Sequence, residues 1–174
     1  YLRIRMAKEN RDDSYLGNRL LKPTNVPQPF TKHEVEEYVK CRDDIVYFLK
    51  NYVKVIHVDK GLIPFDLYDY QQDLIDTLHN HRYVIVKSAR QSGKSVTSLG
   101  YILHYILFNQ TKIVGMLANK ASTSRELLGR LQTAYQHLPK FLQQGIVEWN
   151  KGNIELENGS KIIASSTSSS AIRG

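Results

Sequence analysis

Apolar positions recur with helical spacing along several stretches of the chain, and this pattern predicts most of its regular structure. Thr31 and Glu34 form a capping box ahead of a first helix. Asp43-Asp44 supply candidate N-caps for a second helix. Thr123 and Glu126 have the same capping-box form before a later helix. The pattern places the remaining helices at residues 68–82, 95–108 and 123–138.

Two short runs, residues 83–87 and 112–117, are rich in β-branched residues and nearly continuous in apolar character. Such runs are typical of buried strands. A helix at residues 95–108 lies between them and another follows, so the order predicts a βαβ unit with a parallel sheet. Because two strands do not make a stable sheet, we expect further parallel strands to follow. The predicted fold class is α/β.

Turn-forming residues divide the chain into three parts. Residues 1–30 are polar and contain three prolines, which predicts an irregular N-terminal arm. Residues 31–60 are predicted to form a small helical subdomain that ends before HVDKGLIPFDL, where Gly61 and Pro64 interrupt the pattern. Residues 61–174 are predicted to form the α/β domain.

Asn158-Gly159 is the strongest hairpin signal in the chain, because both residue types tolerate positive φ. The segments 154–156 and 161–163 flank it and are predicted to be its two strands. Residues 150–152, Asn-Lys-Gly, predict another turn just before this hairpin. The serine-rich residues 165–170 predict a polar loop.

Composition adds a class of partner to this picture. The chain has 174 residues and a formal charge of +7, from 24 basic and 17 acidic residues, with a pI near 9.4. This excess suits a polyanion such as nucleic acid, although many soluble proteins are mildly basic. Lys120, Arg125 and Arg130 could form a basic helix face that touches DNA phosphates, or simply a solvated face.

The single cysteine, Cys41, excludes an internal disulfide and a cysteine-based zinc site, and it fits a reducing, cytosolic setting. We predict that it is a small buried side chain. His79 and His81 show no metal-binding spacing and are predicted to be solvated. No apolar run approaches the roughly 20 residues needed to span a bilayer, and the N-terminus has no signal-peptide core, so no membrane is expected.

The candidate chemistry lies in SARQSGKS, residues 88–95. A predicted strand precedes it and an apolar helix follows, which would aim backbone N–H groups and the positive helix end at one spot. Gly93 would allow close approach to a phosphate, Lys94 would place a charge on it, and the Ser95 hydroxyl could ligate Mg²⁺. We therefore predict a phosphate-binding loop that takes ATP and Mg²⁺.

This loop departs from the usual G-x-x-x-x-G-K-[ST] pattern at two positions. Ser88 replaces the first glycine and forfeits its freedom to take positive φ. Arg90 stands inside the loop, where its guanidinium could stabilise a transferring phosphoryl group in cis. The alternative is that Arg90 faces solvent and pairs with a nearby carboxylate.

Tyr70 and Gln71 lie upstream at the start of a predicted helix. A glutamine amide can donate to and accept from an adenine edge at once. Tyr70 could stack on the base or pack in the core. The full predicted nucleotide-binding set is Tyr70, Gln71, Ser88, Ala89, Arg90, Gln91, Ser92, Gly93, Lys94 and Ser95.

Several of these segments resemble the large terminase subunit of T-even-like tailed bacteriophages. They are YDYQQDLIDTL, SARQSGKS, KIVGMLANK and LPKFLQQGIVEWNKGNIELENGSKI, followed by AIRG, within the range from about Val53 to Gly174. The arginine-bearing loop, the upstream Tyr-Gln pair and the WNKG segment occur in the family order. The resemblance implies an incomplete RecA-like (P-loop NTPase) parallel sheet with flanking helices, preceded by a small helical subdomain.

The resemblance also implies a function: an ATPase motor that drives double-stranded DNA into a procapsid, joined in the whole protein to a C-terminal nuclease. It implies catalytic roles for Arg90 and Lys94, adenine recognition by Gln71, and a contribution of Arg173 to a neighbouring subunit's site. The implied partners are double-stranded DNA, the portal protein, the small terminase subunit and further copies in a homo-oligomeric ring. The implied location is the host-cell cytoplasm, at the procapsid portal.

In the family, the Walker B aspartate and the catalytic glutamate would come just after Gly174. We therefore expect this chain to be a truncated piece, from an interrupted or partial reading frame, that binds nucleotide but hydrolyses ATP poorly alone. Two other classes stay open. A superfamily 2 helicase or related nucleic-acid-remodelling ATPase would carry a plain glycine-containing loop, a DEAD-type box and a second RecA lobe. A non-catalytic DNA-binding or assembly module would have no affinity for nucleotide.

Overall fold

A computed structural model of the chain describes residues 14–57 and 59–167. Within this part of the chain the α-helices are α1 (Lys32–Asp43), α2 (Ile45–Tyr52), α3 (Asp69–Asn80), α4 (Lys94–Phe108) and α5 (Ala121–Gln136). The strands are β1 (Lys54–His57), β2 (Gly61–Pro64), β3 (Ile113–Ala118), β4 (Ile146–Trp149), β5 (Asn153–Leu156) and β6 (Lys161–Ser166), and a 3₁₀ turn spans Lys140–Leu142. The architecture is mixed α/β with two sheets.

The first two helices begin where the capping residues predict. The Thr31 hydroxyl accepts a hydrogen bond from the Glu34 N–H at 3.2 Å, and the Glu34 carboxylate accepts from the Thr31 N–H at 2.8 Å. Asp44 accepts from the Tyr47 N–H at 2.8 Å at the start of α2. Each side chain satisfies an N–H group that the first helical turn leaves unpaired. Both predicted starts are confirmed.

The predicted cap of α5 is wrong. Lys120 is the N-cap of this helix and its side chain makes no capping hydrogen bond. The Thr123 N–H already donates to the Lys120 carbonyl at 3.1 Å, which places Thr123 inside the first turn. The capping-box pattern of Thr123 and Glu126 therefore marks the right helix but the wrong residue.

The larger sheet has the strand order β3-β6-β5-β4. Strand β3 pairs in parallel with β6, from Ile113 opposite Lys161 to Ala118 opposite Ser166. The other pairs, β6 with β5 and β5 with β4, are antiparallel. The Asn158-Gly159 hairpin is confirmed, with Gly159 at φ +79°. The turn at residues 150–152 is also confirmed, since the Asn150 side chain accepts from the N–H groups of Gly152 and Asn153.

The prediction of a buried strand at residues 83–87 is wrong. These residues form no strand, and Tyr83 and Ile85 are 83% and 98% exposed. A β-strand needs a neighbouring strand to accept and donate its backbone hydrogen bonds. Strand β3 lies at the edge of its sheet, and no other strand among the described residues pairs with its outer edge. The predicted βαβ unit therefore does not form, and the parallel partner of β3 is β6 instead.

Strands β1 and β2 form an antiparallel hairpin that the sequence pattern did not predict. It lies across the predicted boundary between residues 31–60 and 61–174. The helices on both sides of it, α2 and α3, bury side chains in one shared hydrophobic cluster. How the chain divides into domains stays a prediction.

Helix α4 lies at the centre of the core, in contact with α2, α3 and α5. Its buried side chains are apolar except for Thr97 and His104, and α5 covers β3 and β6. The core residues with the least exposure include Cys41, Phe48, Leu49, Leu103, Ile106, Leu128, Tyr135, Ile154 and Ile162. This packing fixes α4 relative to α3, and therefore fixes the chain that enters α4.

Residues 14–30 have no helix or named strand, yet they are docked on the sheet. Leu21 is 1% exposed, and the Ile146 N–H donates to the Lys22 carbonyl at 2.9 Å. The buried Gln143 amide donates to the Leu20 carbonyl at 2.9 Å and accepts from the Lys22 N–H at 3.1 Å. One side chain thus supplies the partners of two backbone groups in the arm.

Among the described residues, no helix has both the length and the hydropathy that crossing a bilayer requires.

Candidate functional site

The predicted loop leads directly into the first turn of α4. Gly93 is the N-cap residue, in the left-handed region at φ +77°, and no side chain caps the helix. The first backbone bond of the helix runs from the Thr97 N–H to the Gly93 carbonyl at 2.9 Å. The N–H groups of residues 94–96 therefore have no carbonyl partner in the helix and point towards the loop. This arrangement is suited to an anion.

Two side-chain hydrogen bonds form within the loop. The hydroxyls of Ser88 and Ser92 lie 2.9 Å apart, and the Lys94 ammonium donates to the Ala89 carbonyl at 3.1 Å. Lys94 is half-buried, whereas Ser95 is exposed. The lysine side chain therefore folds back over the loop that it would share with a phosphate.

The positive φ angles of the loop lie at Gln91 and Gly93, after Ser88. Ser88 does not take a positive φ, so the missing glycine is not needed there. Gln91 has φ +62° and Gly93 has φ +77°. A non-glycine residue with positive φ is uncommon, so Gln91 marks the strained point of the loop.

Arg90 is exposed, and within the described chain its guanidinium forms no ion pair. Pairing with a carboxylate, one of its two interpretations, is therefore not found among these residues. The side chain is available to an incoming group at the loop. Its proposed part in phosphoryl transfer stays a prediction.

Tyr70 reaches the loop from α3. Its hydroxyl donates to the Ser92 carbonyl at 2.8 Å, and its ring is 51% exposed, so it is not a core residue. Tyr68, which the sequence reasoning missed, stacks on it with ring centroids 5.7 Å apart and planes 9° apart, and is 68% exposed. The only sequence signal for Tyr68 is its place two residues before Tyr70. The pair forms an exposed aromatic surface beside the loop.

Gln71 also joins the loop, but from below. It is 3% exposed, and its amide oxygen accepts from the Tyr68 N–H at 3.0 Å. Its amide nitrogen donates to the Thr97 hydroxyl at 2.8 Å, and that hydroxyl donates to the Gly93 carbonyl at 3.0 Å. Thr97 was also missed, although its spacing of four residues from Gly93 places it in the first turn of α4.

Cysteine and histidine take the places that the sequence predicts. Cys41 is buried, and burial raises the pKa of its thiol to about 12, so the thiol is inert at neutral pH. His79 and His81 are exposed. The buried His104 was not singled out. Its Nε2–H donates to the Cys41 carbonyl at 2.9 Å, and burial lowers its pKa, which favours the neutral imidazole.

Among the described residues, no cluster of three or more histidine, cysteine, aspartate or glutamate side chains could hold a metal ion. Arg173 lies outside the described residues. Of the three basic residues suggested as DNA contacts, Lys120 and Arg125 are exposed. Arg130 is held by Glu126 at 2.7 Å.

One comparison with known proteins bears on this site. The family model for the N-terminal part of the terminase large subunit, T4likevirus-type, matches residues 85–174. The matched range contains the loop, α4, α5 and the four-stranded sheet, and it begins after Tyr70 and Gln71.

Proposed function

Because the chain belongs to the T4-like terminase large subunit family, a family of bacteriophage DNA-packaging proteins, we propose that residues 88–95 bind the phosphates of ATP. In this proposal the chain is the ATPase motor portion of a terminase. It couples ATP binding and hydrolysis to movement of double-stranded DNA into a procapsid. Its sheet then forms part of a RecA-like phosphate-binding fold, which β3 and β6 begin as parallel neighbours.

The observation that carries the proposal is the uncapped start of α4. Three N–H groups without helical partners, the positive helix end and the Lys94 ammonium converge on one loop. A triphosphate placed there gains several charge-assisted hydrogen bonds at once. To reach it, Lys94 has only to give up one bond, to the Ala89 carbonyl.

The other residues take roles that follow from their exposure. The exposed Ser95 hydroxyl is an oxygen donor of the kind Mg²⁺ prefers, and it would hold the ion against the phosphates, whose charge the ion reduces when bound. Arg90 would place its exposed guanidinium on a terminal phosphate. Tyr70, with Tyr68 behind it, offers ring surface on which a base can stack.

The partners proposed with this function are double-stranded DNA, the portal protein and the small terminase subunit. Further copies of the chain would form a ring at the procapsid portal, in the host-cell cytoplasm. For DNA, the exposed Lys120 and Arg125 are better candidates than Arg130, because Glu126 already holds the Arg130 guanidinium. A salt-dependent DNA affinity that falls when Lys120 and Arg125 are neutralised would support this surface.

Titration of the chain with Mg-ATP tests the proposal. We expect saturable binding that Lys94→Ala weakens by about tenfold or more, the effect of losing one strong charge-assisted contact. Lys120→Ala is the matched control, because Lys120 likewise lies at the start of a helix with no side-chain cap, and it should leave the affinity unchanged. Absence of binding, or equal loss in both variants, would favour a non-catalytic module with a vestigial loop.

A further inference from the structure

The β1–β2 hairpin presents an apolar pair to solvent on its outer side. Ile56 and Leu62 lie opposite each other in the register and are 61% and 37% exposed. Val55 and Ile63, the pair on the other side of the hairpin, are half-buried and pack against the fold. The outer side of the hairpin therefore has apolar surface that the described residues leave largely uncovered.

Two lysines flank this apolar pair, and neither is paired with a carboxylate. Lys54 begins β1 at the base of the hairpin, and Lys60 lies in the turn at its tip. Both are exposed, and neither forms an ion pair with a described residue. Within residues 45–65 three lysines stand against one acidic residue, Asp59. The hairpin is therefore positively charged around an apolar centre.

We propose that the β1–β2 hairpin is a contact surface for double-stranded DNA. Lys54 and Lys60 hold backbone phosphates, and the apolar pair contacts the base edges of a groove. Exposed apolar side chains alone would also suit a protein partner, but two unpaired lysines in a chain of formal charge +7 favour a polyanion. The inference deepens the proposed function, since it rests on double-stranded DNA being a partner of this chain.

The dimensions of the hairpin fit a groove of B-form DNA. The major groove is about 12 Å wide and admits a two-stranded β-ribbon. Three residue steps separate Lys54 from His57, and the turn follows, so the two lysines lie about 10–13 Å apart at about 3.3 Å per residue. Lysines at this separation can reach phosphates on the two sides of the groove. Ile56, between them, can contact a thymine methyl group.

The hairpin also lies beside the helix that carries the other candidate DNA contacts. Strand β1 contacts α5. Lys120 is the N-cap of α5 and Arg125 lies in its second turn; both are exposed, and within the described chain neither forms an ion pair. A duplex that contacts both elements releases counterions at each phosphate contact, which makes its affinity strongly salt-dependent.

Duplex affinity measured across a salt series tests the proposal, with a short fluorescent duplex as the probe. We expect Lys54→Ala/Lys60→Ala to reduce the slope of log affinity against log salt by about 2, since each lost phosphate contact lowers it by about 1. Lys32→Ala/Lys151→Ala is the matched control, because it removes the same charge at exposed lysines elsewhere and should leave the slope unchanged. Equal reductions in the two double variants would overturn the proposal.

The apolar pair is tested by a substitution that leaves the charge intact. Ile56→Thr keeps a β-branched side chain in the strand and removes apolar surface. It should weaken duplex binding by about threefold to tenfold, the effect of losing buried apolar area, with no change in the salt slope. Val35→Thr makes a similar change at an exposed position of α1 and should have no effect. Equal affinities of Ile56→Thr and the wild type would contradict a contact at this pair.

A cysteine cross-link locates the duplex independently of any loss of affinity. Cys41 is the only cysteine in the sequence and is buried, so in Ile56→Cys the introduced thiol is the exposed one. This thiol should form a disulfide with a duplex that carries a thiol tether in a groove, whereas the thiol of Val35→Cys should not. No cross-link from an Ile56→Cys variant that still binds the duplex would overturn the proposal and favour a protein partner for the hairpin.

Mg-ATP titration separates this inference from the nucleotide site. Lys54→Ala/Lys60→Ala should bind Mg-ATP with the affinity of the wild type, because its substitutions lie outside residues 88–95. A wild type that binds Mg-ATP but no duplex would overturn the inference and leave the nucleotide site standing. Duplex binding that depends on the hairpin, in a chain that binds no Mg-ATP, would support the inference while the proposed ATPase function fails.

Discussion

Two segments of this molecule have nearly the same apolar character and different structures. Residues 113–118 form β3, with Met116 buried and six residues in register with β6. Residues 83–87 form no strand, and Ile85 is 98% exposed. Both runs predict a buried strand from their sequence. The difference shows that apolar character alone does not make a strand, because the backbone N–H and C=O groups of a strand need a neighbouring strand as partner.

The partner of β3 is supplied by local sequence on another part of the chain. The Asn158-Gly159 turn folds β6 back on β5, and this places β6 beside β3. Backbone bonds close both ends of the pair, from the Lys161 N–H to the Lys112 carbonyl and from the Thr167 N–H to the Ala118 carbonyl. No described strand does the same for residues 83–87.

This difference shows which elements hold the loop of the candidate site in place. The loop at residues 88–95 follows the exposed run, so the run does not hold it in place. Tyr70 and Gln71 on α3 contact its second half, and the packing of α4 fixes its end. The site is therefore built by two helices, and no strand in the described part of the chain pairs with the preceding segment.

The largest contrast is expected from one substitution made in both regions. Ile162→Ala, in the strand that pairs with β3, removes a fully buried side chain and should lower the free energy of unfolding by about 2–5 kcal/mol. Ile85→Ala should change it by no more than about 0.5 kcal/mol, because the side chain is exposed. Urea denaturation of both variants checks this. Similar losses would mean that residues 83–87 are packed in solution.

Glycines in two helices extend the contrast between packed and open positions. A Cβ atom at Gly100 would lie 2.8 Å from a Leu49 methyl group and 3.2 Å from the Phe65 ring, so Gly100→Ala should destabilise the protein by about 1–3 kcal/mol. At Gly129 no atom of the described residues lies within 4 Å of an added Cβ. Gly129→Ala should therefore raise the helix propensity of α5 and stabilise by about 0.5–1 kcal/mol. Thermal unfolding gives the sign of each change, and equal signs would contradict the packing described around α4.

Acid should destabilise the packing of α1 against α2 and leave residues 83–87 unchanged. The Glu37 carboxylate is buried and accepts from Lys40, Tyr52 and Tyr47, and these bonds lower its pKa from 4.5 to about 2. A lowered pKa in the folded state gives stability that is present above pH 4.5 and is lost as the pH falls towards 2. Glu37→Gln should therefore be less stable at pH 7 and should show a flatter decline below pH 4.5. Glu36→Gln, at an exposed neighbour, serves as the control.

The acid effect can be localised by hydrogen exchange. Protonation of Glu37 should speed exchange in α1 and α2, which it joins through Tyr47 and Tyr52. Residues 82–93 carry no carboxylate, so their exchange should follow only the ordinary pH dependence of an open chain. An acid-induced change confined to residues 82–93 would contradict this account.

Features decided within a few residues were predictable from the sequence. The Thr31 capping box, the Asp44 cap and the Asn158-Gly159 hairpin each depend on contacts between near neighbours. The same applies to the junction of loop and helix at Gly93, where the residue type and the following helix identify the turn. Such short-range features can be predicted from the sequence because few other local conformations compete with them.

Features decided by distant partners were not predictable. Gln143 binds the N-terminal arm more than 100 residues away in sequence, with separations of 121 and 123 residues. The hydrogen bond from the Gln71 amide to Thr97, 26 residues away in sequence, was not predicted either, and adenine recognition by Gln71 stays a prediction. The missing strand at residues 83–87 has the same cause. In each case the outcome depends on which groups tertiary packing brings together.

The most direct test of the central claim is a titration of ¹⁵N-labelled chain with Mg-tripolyphosphate and Mg-ATP, followed by the amide shifts. The account predicts saturable changes concentrated at residues 92–97 for both ligands, with an additional change at Tyr68 and Tyr70 only when the base is present. Shifts centred on the start of α5 near Lys120, or no saturable shift, would contradict a phosphate site at the start of α4.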